Sequence, residues 1–134
     1  MTVTEMLLKA DTKKVDELNE GTFEAAALAR ALGKPGKITI KIREIPARKM
    51  SEYIDGTVGS ETYNTAKMFE ASKKIVLAGV VDPDLKNKEL QEYFGCRLGI
   101  DLVEKIFRNE VYAISEAIQN LSAFNDADDE EIKN

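Results

Sequence analysis

Gly33-Lys34-Pro35-Gly36-Lys37 comes nearest to a phosphate cradle in this chain, since glycines let backbone N–H groups converge on an anion that lysines then neutralise. The spacing does not fit. A P-loop needs four residues between its glycines and then Lys with Ser or Thr, whereas here two intervene and Ile38 follows the lysine, which reads as a chain reversal. Asp82-Pro83-Asp84 and Asp126-Ala127-Asp128-Asp129-Glu130 each begin like a calcium loop of alternating carboxylates. Lys86 stands at the fifth ligand position of the first and Asn87 at its glycine, while the second runs out of positions before the twelfth. They read as a Pro-containing turn and a solvated tail. Glu89 with Glu92, and Glu130 with Glu131, could share a proton only if buried, and their surroundings are those of an exposed face. Cys96 beside Arg97 has no histidine to act as its base, so an incidental thiol is expected.

Composition narrows the chemistry further. The 134 residues hold no histidine and one cysteine, which excludes a Ser-His-Asp triad, a His/Cys zinc site and an internal disulfide. With 43% hydrophobic and 32% charged residues, one soluble domain over 1–124 is expected, its first twenty residues only partly ordered. One unpaired thiol, and a start lacking the charge-then-apolar pattern of a signal peptide, suit the cytoplasm. The net charge of −5 is unevenly spread, with residues 1–81 at +2 and residues 82–134 at −7. Much of the excess lies in 125–134, too polar to repay ordering and expected to be a flexible acidic tail. No histidine, cysteine or carboxylate cluster calls for a metal or cofactor, so none is expected.

The elements read as α+β and mainly helical: one small antiparallel hairpin within residues 23–45, then a bundle of four to five helices. Ile38, Ile40 and Ile42 alternate with Thr39, Lys41 and Arg43, the period of a half-buried strand that Pro46 ends. Phe23 to Leu32 is open between two readings. Its alanines favour helix, while a strand with Leu28, Arg30 and Leu32 in phase would give the isoleucine strand its partner. A short helix is expected around Lys13 to Leu18, another through Met50, Tyr53 and Ile54, and one from about Glu61, capped by Ser60, whose apolar end is Ile75 to Val81. A further short helix follows Asn87 and stops at Gly95. Val103, Phe107, Val111, Ile114, Ile118 and Leu121 advance 18 residues in five steps, the 3.6-residue helical repeat, with a break expected at Asn109. That stripe is either core or a docking face. With Tyr93 and Phe94 it supplies the candidate partner-binding residues: Tyr93, Phe94, Val103, Phe107, Val111, Ile114, Ile118 and Leu121.

Leu77 through Gly95, followed by Leu102 to Phe107 and Glu110, resembles the XkdN-like tail assembly chaperones of PBSX-type phages and prophages. Leu8 to Thr12, the strand Lys37 to Ile45 and the helix Ala47 to Ile54 follow the same order, so the resemblance spans about Met6 to Leu121. The chain departs from the pattern at Gly95 to Ile100, without the expected proline, and at Phe107 to Glu110, without a Pro-Gly turn. The resemblance implies a non-enzymatic protein of the bacterial host cytoplasm, absent from the mature virion. Its implied partners are the tape measure protein, held soluble, and the tail tube protein, recruited around it, and a frameshift-extended form is a further implication; the sequence leaves a homo-oligomer open. The family has no catalytic residues to carry over.

Two other readings rest on the residues alone: a small nucleotide- or metabolite-binding protein or enzyme using Gly33 to Lys37, and a generic cytoplasmic adaptor. Lys34, Lys37, Lys41, Arg43, Arg48 and Lys49 form a positive patch without an aromatic residue for stacking bases, so nucleic acid is not an expected partner, and a chain with 32% charged residues is not expected in a membrane. A gel-shift at low salt is expected to show no complex with DNA; a complex that weakens steeply with added salt would overturn this.

Overall fold

The structure is a computed structural model that describes residues 1–55 and 65–123. Two short helices come first, α1 (Val3–Leu8) and α2 (Thr12–Val15). Strand β1 (Glu20–Ala25) runs directly into helix α3 (Ala26–Ala31), and β2 (Ile38–Arg43) returns antiparallel to it, pairing Glu20 with Arg43 through to Ala25 with Ile38. Helices α4 (Ala47–Asp55) and α5 (Thr65–Gly79) follow, then strand β3 (Val80–Asp82), α6 (Lys88–Tyr93), α7 (Gly99–Phe107), a 3₁₀ turn over Arg108–Glu110 and α8 (Val111–Ala123). The sheet order is β1-β2-β3, antiparallel throughout.

The mainly helical α+β reading therefore holds, with two changes in the sheet. Phe23 to Leu32 is both strand and helix: it divides at Ala25/Ala26, and Leu28 and Arg30 ride on α3 rather than alternating along a strand. The cause lies far away in sequence. The Glu110 carboxylate accepts hydrogen bonds from the Ala26 and Ala27 N–H groups at 3.1 and 2.6 Å, capping α3 at an end where Ala25 has no side chain to do so. The second change is that Ile75 to Val81 is not wholly a helix end. Helix stops at Gly79, and Val80–Asp82 becomes a third strand on the free edge of β2, with an irregularity between Lys41 and Ile42. Val80 is buried while Val81 and Asp82 are exposed, so only the first residue of this strand reaches the core.

Two helix ends are set by glycines that adopt left-handed backbone. Beyond α3, Gly33 (φ +68°) lets Lys34 N–H reach Ala29 C=O at 2.9 Å while its own N–H donates to Arg30 C=O. Beyond α6, Gly95 (φ +71°) does the same with Cys96 N–H on Gln91 C=O at 2.8 Å. Both are Schellman closures. Asn87 caps α6, accepting from Leu90 N–H at 2.8 Å as its position in the sequence suggested. The break between α7 and α8 falls one residue before the expected Asn109, at Arg108, which takes φ +51° without being glycine.

The core gathers Ile40, Ile42 and Ile45 from the β2 side, Ile75 and Val76 from α5, Leu102, Val103, Ile106 and Phe107 from α7, and Val111, Ile114 and Ile118 from α8. α4 contributes Met50, Tyr53 and Ile54 as partly buried cover. The anticipated cap Ser60 and the acidic segment 125–134 lie outside the described residues. Glu110→Ala is expected to lower stability by about 1–2 kcal/mol, because two helix-start N–H groups lose their acceptor. A denaturant midpoint unmoved in that variant would show that the cap is dispensable.

Candidate partner-binding surface

The eight candidate residues are distributed over core and surface. Val103, Phe107, Val111, Ile114 and Ile118 are each 0% exposed, so these five form no docking face: their stripe packs against α5 and the inner face of the sheet. Leu121 is half-buried over Gly21, with its Cδ2 where a side chain on that glycine would begin. Tyr93 and Phe94 alone stand together at the surface. Tyr93 is 83% exposed and stacks edge-on to Phe94, ring centroids 5.3 Å apart, while Phe94 is half-buried.

Phe94 belongs to a groove that periodicity did not reveal. Leu28 of α3, Leu32 just beyond its C-terminal end, Ile38 from β2, Pro83, Leu90 and Phe94 line a groove of about 270 Å³, with Ile40 and Ile106 lining it from the core side. Leu32 is 53% exposed on its rim. A shallower cleft continues past Pro83 to Asp84, Asn87, Glu89 and Tyr93. Asp82, Asp84 and Glu89 give this double depression an acidic lip, and no Lys or Arg lines either part. An apolar floor with a negative rim suits an amphipathic segment flanked by basic residues. The signal in the sequence was only partial, because Leu28 and Leu32 join the site through a helix whose start depends on Glu110.

The other sequence-level candidates have plainer settings. In the Gly33 to Lys37 segment, the N–H groups of Gly33 and Lys34 are spent on α3 carbonyls, which fits helix closure. Asp84 accepts from Lys86 N–H at 3.1 Å in a local turn. Glu89 and Glu92 are exposed on α6, and Cys96 is half-buried with its Sγ 3.7 Å from Phe94 O. The six basic residues from Lys34 to Lys49 are all exposed, and Lys41 and Arg43 lie across from Asp82 and Glu20 in the sheet, which breaks up the positive patch. Among the described residues, no three His, Cys, Asp or Glu side chains converge as for a metal ion, and no helix is long and apolar enough to cross a membrane.

A model of the phage XkdN-like tail assembly chaperone protein family matches residues 4–133. The chain belongs to this family. The fold of this family member is similar to the crystal structure of the protein YqbN, with a TM-score of 0.53 at 13% identity over 81% of this chain and 90% of that one. No curated protein sequence matches it. In the two segments where the chain departs from the expected pattern, Gly95 takes φ +71° and Arg108 φ +51°.

One charged group in this family member is buried at a helix interface. Lys73 of α5, 6% exposed, holds Glu70 at 2.7 Å and Glu104 of α7 at 2.8 Å, with its Nζ 5.0 Å from the centre of the Phe69 ring. Burial works against the ammonium, but the hydrogen bonds to Glu104 and Glu70, and their charges, outweigh it and raise the pKa above the ordinary 10.5. The stabilisation is therefore whole below the unfolded-state value and is lost as pH rises through the folded one. Both carboxylates face water, so the pair is worth little at neutral pH, and Lys73→Met is expected to stay within about 1 kcal/mol of the parent there. In urea titrations between roughly pH 10 and 12 the parent is expected to lose more stability than the variant; equal losses would remove Lys73 from the balance.

Proposed function

We propose that this chain acts in phage tail morphogenesis by binding the tape measure protein, keeping it soluble, and helping to recruit tail tube subunits around it, without making or breaking a bond. Family membership supports the general role of tail assembly chaperone. The observation that carries the specific reading is the apolar groove with an acidic lip beside the exposed Tyr93. A tape measure is a long, largely helical chain whose apolar stripes would aggregate before tube subunits enclose it. Such a stripe, flanked by basic residues, fits a groove of this kind, and the −5 charge of the chaperone keeps the complex soluble. Reversible cover of this type needs no catalytic group, and on this reading the protein works in the bacterial host cytoplasm during assembly and stays out of the finished virion.

Co-expression with the tape measure protein of the same locus is expected to raise its soluble yield, with the two eluting together. Tyr93→Ser, at a position too exposed to affect folding, is expected to weaken that complex roughly tenfold, the effect of losing about 1.4 kcal/mol at an aromatic anchor. Unchanged tape measure solubility with no co-elution would count against the proposal.

A further inference from the structure

Strand β1 has a partner on one side only. Its register with β2 is unbroken from Glu20 opposite Arg43 to Ala25 opposite Ile38, and just before it Glu44 N–H donates to Asn19 C=O at 2.7 Å. Bonded residues alternate along an antiparallel ladder, so Asn19, Gly21, Phe23 and Ala25 turn their backbone groups toward β2 while Glu20, Thr22 and Glu24 turn theirs away. Among the described residues, nothing bonds the N–H and C=O groups of those three. All three residues are exposed.

The opposite edge of the sheet is guarded and this one is not. β3 is three residues long and meets β2 with an irregularity between Lys41 and Ile42, two ordinary defences against strand addition. β1 has six residues, with no proline and no bulge. An open run of this length is a template for an extended chain.

Charge decides which chain fits. On the outer face of the sheet the rows alternate in sign, with Glu20 and Glu24 on β1, Lys41 and Arg43 on β2, and Asp82 opposite Lys41 on β3. Glu24 accepts from Thr39 Oγ1 at 2.6 Å and Glu20 lies opposite Arg43, but among the described residues neither is in an ion pair. Glu17 adds a third carboxylate beside Arg43 where the strand begins. A further row beside β1 that continues the alternation is therefore basic. A second copy of β1 fits badly, because the alignment that uses all three open residues sets Glu20 against Glu24 at both ends. On the inner face Gly21 and Phe23 are half-buried, with Phe23 packed on the core, so the alternate positions of an added strand meet apolar surface.

We propose that the open edge of β1 docks an extended segment of another protein as a fourth, antiparallel strand, with Lys or Arg opposite Glu20 and Glu24 and apolar residues between them turned toward Phe23. This edge shares no residue with the groove that takes Leu28, Leu32 and Phe94, so it does not depend on what the groove binds.

The probe is a fluorescein-labelled peptide, TKVTVKVT, whose lysines stand four apart on one face with valines on the other. Its fluorescence anisotropy is expected to rise to saturation with the full chain. Methyl groups on the amide nitrogens of both lysines and the threonine between them remove the donors that face β1, and are expected to weaken binding roughly tenfold or more. Thr22→Pro removes only an N–H that points away from β2, so it is expected to keep the parent's circular dichroism and denaturant midpoint while losing affinity roughly tenfold. The parent is expected to prefer TKVTVKVT over TEVTVEVT, and Glu20→Gln/Glu24→Gln to bind the two alike. No saturation with the parent, equal binding of the methylated peptide, or no preference between the lysine and glutamate peptides would each overturn the proposal. So would a parent that light scattering shows to be a dimer and Thr22→Pro a monomer, which would give the edge to a second copy.

Discussion

Ile118 lies against the bare backbone of Gly79, where a Cβ would come within 2.6 Å of its Cδ1 and 2.7 Å of its Cγ2. Both residues are buried, so neither side of the contact can be enlarged without displacing the core; overpacking of this kind costs about 1–3 kcal/mol. The contact holds α8 close along α5 at the residue where α5 ends. Val80 follows at once on β2, so the same approach that seats the last helix also delivers the third strand. Position 79 thus joins the helical layer to the sheet.

Glu110 complements that contact from the other end of α8. It sits in the turn made by Arg108, whose φ of +51° is uncommon for a residue with a side chain, and its carboxylate reaches the start of α3. A strained turn of this kind costs about 1–3 kcal/mol and persists where the surroundings fix it, here the buried Phe107 and Val111 on either side. Because α3 supplies Leu28 to the surface groove and positions Leu32 at its end, the cap links the C-terminal helices to the site.

Apolar residues serve two purposes in this chain, and only their burial separates them. The stripe from Val103 to Ile118 is sealed inside, while Leu32, Tyr93 and the α1 residues remain in contact with water. The function proposed above calls for the second kind without weakening the first, and the division between core and groove is compatible with it.

The alternation of Ile38 to Ile42, the 3.6-residue stripe, Asn87 before α6 and Gly95 after it determined a strand, the C-terminal helices and one helix with both its ends, because each is set by contacts within a few residues. The motif order from Leu77 to Glu110 likewise disclosed the family. Tertiary structure alone decided where Phe23 to Leu32 changes from strand to helix, why Val80 joins a sheet, and which apolar residues face water. Those outcomes depend on groups tens of residues apart, the Glu110 carboxylate on Ala26 and Ala27 and the edge of β2 on Val80, and a periodic pattern shows that a face is apolar without showing what covers it.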